Sequence, residues 1–75
     1  MGIAFDFNEL RGRIIAKYGT QAAFARALGV SRSVLSGKLN NRVAFKPDEI
    51  LRVCSSQMLD IQPVEIGRYF FTPKV

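Results

Sequence analysis

The sequence has no histidine, no tryptophan and a single cysteine, Cys54, among its 75 residues. With one thiol no intramolecular disulfide can form. Without histidine or paired cysteines the usual zinc ligand sets are absent too. This usage predicts a reducing, intracellular setting. No apolar run approaches the length of a membrane span, and the opening stretch MGIAFDFNELRGR lacks a cleavage-site pattern, so a soluble chain without a signal peptide is expected. Catalytic groupings are missing as well: there is no nucleophile–base pair and no glycine-rich phosphate loop. The nearest approach to paired acids, Asp48-Glu49, is explained as helix-start charge. The chain is expected not to be an enzyme and to need no cofactor or metal.

The most informative absence is one of sign. Between Leu10 and Pro47 there is no Asp or Glu, whereas Arg11, Arg13, Lys17, Arg26, Arg32, Lys38, Arg42 and Lys46 all lie there. The six acids, Asp6, Glu9, Asp48, Glu49, Asp60 and Glu65, stand outside that stretch, and the net charge is +5. Surface helices usually mix signs so that charges three or four apart can pair. A one-signed block points instead to a partner of opposite charge, a polyanion first of all.

What is present is a small helical domain. The chain is 48% hydrophobic, enough for one modest core at this length. Asp6 with Glu9 three residues on has capping-box spacing, and Phe5 with Leu10 that of a hydrophobic staple, predicting a first helix from Asp6. Phe7, Leu10, Ile14 and Tyr18 give it one apolar face, and Gly19 ends it. Thr20 is the expected cap of a second helix, Gln21 to Leu28, and Gly29 its left-handed stop. Ser31 caps a third, about Arg32 to Leu39, halted by Asn40-Asn41. A loop, NRVAFK, follows. Pro47 at a first helical position, with Asp48 and Glu49 behind it, opens a fourth helix whose apolar stripe is Ile50, Val53, Cys54 and Met58. Cys54 reads as a buried small hydrophobe. A fifth helix, about Pro63 to Tyr69, carries Val64 and Ile66, and an irregular tail covers 70–75. With strand signals weak throughout, the expected fold is all-α: one five-helix domain over residues 1–75.

The second and third helices have the makings of a helix-turn-helix over about 20–39. The first of them must stop abruptly, turn within three or four residues and restart on a cap. Ala22, Ala23, Ala25 and Ala27 allow close packing, with Ala25 the expected contact point and Val30 the apolar plug beneath the turn. Leu35 and Leu39 face inward, leaving Arg32, Ser33, Ser36 and Gly37 outward. That face is too small and polar for a core, and serine and glycine are poor choices for an ordinary solvated helix. Arg32 can fork onto a guanine edge, Ser33 and Ser36 can donate to bases or phosphates, and Gly37 allows close approach. Gln21 at a helix start suits a phosphate, and Asn40, Arg42 and Lys46 are placed to grip the opposite strand.

The run TQAAFARALGVSRSVLSGKLNN resembles the helix-turn-helix of lambda-repressor-like, Cro/C1-type DNA-binding domains, through Gln21, Phe24-Ala25, Gly29-Val30-Ser31 and Leu35-Ser36. Extended to LRGRIIAKYG before it and EIGRYFFTPKV near the C-terminus, the sequence is similar to small Cro-like regulators of temperate phages and prophages. The resemblance implies a transcriptional repressor in the cytoplasm of a bacterial host, at the nucleoid, acting in a lysis–lysogeny switch against a larger repressor. It implies base contacts at Arg32, Ser33, Ser36 and Gly37, and backbone contacts at Gln21, Lys38 and Asn40. Gly37 departs from relatives that read a base there with a longer side chain, which rests specificity on Arg32 and Ser33.

Two functions stand side by side. In the first, the chain binds a double-stranded DNA operator as a homodimer, because one domain reads too few bases and such operators hold two half-sites. In the second, it is an antirepressor that binds a partner repressor. Tyr69, Phe70 and Phe71 are candidates for an interface, or equally for packing back onto the first helix.

Overall fold

The computed structural model describes residues 4–74. They form five α-helices, α1 (Asn8–Tyr18), α2 (Gln21–Leu28), α3 (Arg32–Leu39), α4 (Pro47–Cys54) and α5 (Ile66–Phe70), with a 3₁₀ turn, Pro63–Glu65, leading into α5. The all-α expectation holds. The only strand-like pairing among these residues is an isolated antiparallel bridge between Phe5 and Pro73.

Local signals account for α2 and α3 to the residue, and for the start of α4 at Pro47. Thr20 Oγ1 accepts the Ala23 N–H at 3.0 Å and Ser31 Oγ accepts the Val34 N–H at 3.1 Å, each satisfying a first-turn donor that the helix leaves free. Gly29 ends α2 at φ 84°, and Asn41 follows α3 at φ 63°, both in the left-handed region that glycine and asparagine tolerate best.

The start of α1 differs from its expected place. The helix begins at Asn8, two residues late, because Asp6 is held by the other end of the chain. Its N–H donates to Thr72 O at 2.7 Å, just as Lys74 N–H donates to Ala4 O at 2.9 Å. Asp6 Oδ1 still accepts the Asn8 N–H, at 2.8 Å. Glu9, however, leaves the capping box to pair with Arg68 at 2.8 Å. At the other end of the chain the first turn of the expected fifth helix is 3₁₀, Phe70 belongs to α5, and Val64 is 90% exposed. Met58 lies in a turn beyond α4, half-buried.

One apolar cluster holds the helices together. Leu10 and Ile14 of α1, Phe24 of α2, Leu35 and Leu39 of α3, Val53 of α4 and Phe70 of α5 are nearly inaccessible, joined by Leu59 from the α4–α5 connection. Phe7, Phe45 and Phe70 stack edge to face in succession, with centroids 5.4 and 5.2 Å apart, each such pair contributing roughly 0.5–1.5 kcal/mol beyond area burial. No helix among the described residues is long and apolar enough to cross a membrane.

Candidate recognition surface

The α2–turn–α3 unit is built as its sequence dictates. Gly29 and Val30 N–H groups both donate to Ala25 O, at 2.9 and 3.0 Å. This pairing, with a left-handed glycine, closes α2 in a single turn. Arg52 of α4 donates from Nη2 to Leu28 O, anchoring the end of α2 from below. Ala25 is buried, and Val30 packs half-buried against the core.

On this frame Arg32 and Ser33 are exposed, and Gln21 is half-exposed. Gln21 and Arg32 line one open depression with Ile15, Gly19, Thr20 and Ala22. The amide side chain and the guanidinium thus stand at the N-terminal ends of two consecutive helices. Arg32 has no ion-pair partner among the described residues. Arg42 and Lys46, beyond α3, are exposed and likewise lack one.

The remaining expected contacts are placed differently. Lys38 is buried, 7% exposed, and its Nζ donates to Glu49 Oε1 at 2.7 Å and to Ala44 O at 3.3 Å. It reaches a phosphate only by breaking that ion pair, unlike the free backbone contact that the resemblance implies. Asn40 donates from Nδ2 to Ser36 O and Oγ, at 2.9 and 3.2 Å, while its Oδ1 accepts from Arg11 Nη2 at 3.0 Å. Ser36 and Asn40 are therefore engaged with each other at the end of α3. Gly37, expected on the outward face, is buried instead, and its O accepts the Arg42 N–H at 2.8 Å. A Cβ at Gly37 would meet nothing within 4 Å, so the fold itself does not require a glycine there.

The basic block divides in the same way. Arg11 Nη2 donates to Leu39 O at 2.7 Å, closing the end of α3. Arg13 spans Leu59 O at 2.9 Å and Asp60 O at 3.0 Å, and Lys17 donates to Met58 O. With Lys38, half of the acid-free cations serve backbone carbonyls or a carboxylate within the fold. Arg26, Arg32, Arg42 and Lys46 are exposed and have no ion-pair partner among the described residues. Charge counting in the sequence missed this, because nothing local marks the carbonyls of residues 58–60 as needing donors from α1.

Near the C-terminus, Tyr69 and Phe70 are 4% and 2% exposed and belong to the core. Of the three aromatics named as interface candidates, only Phe71, 51% exposed, presents a surface, and it packs edge-on against Phe5 with centroids 5.7 Å apart.

Glu49 is held below the usual carboxylate range, first by its hydrogen bond from Lys38 and then by the Lys46 N–H. Burial raises the Cys54 thiol above its ordinary value.

Comparison with known proteins places the chain beside a family and a solved structure. A family model described as "Protein of unknown function (DUF739)" matches residues 3–73. A solved chain, the modulator of repression (MOR) of the temperate bacteriophage TP901-1 from Lactococcus lactis, is 43% identical. The likeness covers 89% of this chain and 88% of that one, with a TM-score of 0.78. No curated protein matches.

Proposed function

The chain belongs to the DUF739 family of proteins of unknown function, and from its similarity to a phage modulator of repression we propose that it is a regulatory protein of a temperate-phage switch that modulates repression. It does so by contacting a repressor protein, and it performs no catalysis. The observation that carries this choice is the state of the expected DNA-reading residues. Lys38 is buried in an ion pair, Ser36 and Asn40 bond each other, and Gly37 has no side chain. Half of the acid-free basic block already bonds carbonyls or a carboxylate of the chain itself. That leaves a short list of groups for a duplex, whose binding depends on many phosphate contacts.

A second reading, operator binding, is favoured by one specific observation. Gln21 and Arg32 share a depression at the starts of two capped helices, where backbone N–H groups and a forked cation suit a phosphate and a guanine edge. In that reading the chain binds two half-sites as a homodimer.

One experiment separates the two. The repressor of the same switch is bound to its operator and titrated with the purified chain in a gel-shift assay. A random duplex pool is selected with the chain alone, and with Arg32→Ala, in parallel. Repressor binding predicts that the chain dissolves or supershifts the repressor–operator complex and enriches no motif of its own. A two-fold-symmetric motif enriched by the chain and lost in Arg32→Ala would overturn it in favour of operator binding.

A further inference from the structure

Away from α2–turn–α3, a groove opens where loop 41–46 meets the N-terminal segment and the end of α5. Its floor is Phe7, Phe45, Phe70 and Ile50, and its rim carries Val43 and Phe71. Val43 and Phe71 are 55% and 51% exposed, so two large apolar groups border an aromatic cleft of about 310 Å³. Clustered apolar exposure beside a cleft is what a binding site shows, whereas scattered apolar residues need no explanation.

The charge around the groove decides its occupant. Arg42 and Lys46 stand directly before and after the lining residues Val43–Phe45 in the same loop, exposed and without ion-pair partners among the described residues. Lys74, also exposed, lies where the tail pairs with the N-terminal segment. Glu49, which touches the loop through the Lys46 N–H, is already paired with Lys38, and Asp48 is one exposed acid beside two exposed cations. A second copy of the chain would bring the same basic rim and the same +5 charge against itself. A small anion finds no free cation inside, because Lys38 Nζ is taken by Glu49 and Ala44 O. Phosphates have no use for an aromatic floor.

We propose that this groove docks an acidic, amphipathic segment of a partner protein. A bulky apolar side chain enters between Val43 and Phe71, and carboxylates face the loop that carries Arg42 and Lys46. The proposal rests on the chain's being a protein-binding regulator, and it names the surface that binds.

The test is selection of a yeast-displayed library of random peptides with the full chain. It is followed by affinity measurements and amide-shift mapping on the enriched peptides. The expected peptides combine Leu, Phe or Trp with Asp and Glu. Val43→Asp and Phe71→Ser should each weaken them by about tenfold or more, as for residues at the centre of an interface, and shift changes should centre on 43–45 and 70–71. Val43 is the more exposed of the two, so Val43→Asp keeps the test decisive if Phe71→Ser melts early. Peptides that map to Gln21 and Arg32 would overturn the groove and leave the protein-binding reading standing. Enrichment of basic peptides, or of none, also overturns it, and the repressor–operator gel shift then decides the reading itself. A concentration-dependent dimer abolished by Val43→Asp would assign the groove to a second copy instead.

Discussion

Lys38 in the last turn of α3 and Glu49 in the first turn of α4 form an ion pair of 2.7 Å whose lysine is almost wholly enclosed. The same carboxylate oxygen accepts the Lys46 N–H at 2.8 Å, so one side chain joins the ends of two helices and closes the loop between them. This pair removes the last cation of α3 from any partner. It also makes the α3–α4 connection sensitive to acid.

The first prediction follows from the sign of that effect. The folded-state pKa of Glu49 is lowered relative to its ordinary 4.5. Its contribution to stability is therefore complete above the unfolded value and is lost as pH falls through the lower, folded one. Glu49→Gln should cost about 1–3 kcal/mol at neutral pH, because it leaves Lys38 charged and enclosed. It should also flatten the acid limb below pH 4.5. Urea melts of both proteins from pH 7 to pH 3 check this, and parallel pH curves would sink it.

Arg11 ties α1 to the end of α3 through Leu39 O and Asn40 Oδ1. Arg11→Ala should lose about 1.5–3 kcal/mol, the range for hydrogen bonds from a charged donor. Arg11→Lys should recover only part of it, since a point charge cannot hold both acceptors as the planar fork does. Thermal melts of the two variants measure the difference. If the residue is instead reserved for a partner, neither variant will melt below the parent.

Gly29 sits at φ 84°, and a Cβ there would lie 3.3 Å from Arg52 Nη2. Gly29→Ala should destabilise by about 1–2 kcal/mol from the left-handed backbone alone, and it should disturb the Arg52 contact to Leu28 O. Gly37→Ala, with open space and no left-handed backbone, should be neutral or slightly stabilising. The pair of urea midpoints gives the comparison, and equal costs at both sites would contradict it.

Cys54 is enclosed at the end of α4, and its thiol is pushed up by burial. Only the thiolate reacts, so Ellman's reagent at pH 8 should modify the folded chain at least roughly a hundredfold more slowly than the chain in urea, through opening events. A fast reaction without denaturant would show that the site is open.

The second and third helices were legible in the sequence because their determinants are local. A threonine or serine oxygen meets a donor three residues ahead, and a glycine takes a backbone conformation that other residues resist. The same holds for Pro47 with the acids behind it, and the periodicity of Leu10 and Ile14 on α1 correctly predicted burial. The start of α1 was not legible. Asp6 and Glu9 have ideal spacing for a cap, but Thr72 and Arg68, at the far end of the chain, outbid it. The aromatic run near the C-terminus was likewise split by packing, which took Tyr69 and Phe70 inward and left Phe71 at the rim of the groove.

By itself, then, the sequence determined an all-α chain, the caps and stops of the α2–turn–α3 unit, and an acid-free, basic surface around it. Only the tertiary structure decided which of those cations find acceptors within the chain: Arg11, Arg13, Lys17 and Lys38 bond carbonyls and a carboxylate, and Arg26, Arg32, Arg42 and Lys46 have no such bond among the described residues. The reason is reach. A cap is fixed by residues within one helical turn of it, but a lysine or arginine on its long stem bonds whichever acceptor the folded chain brings near, and no spacing in the sequence records which that is.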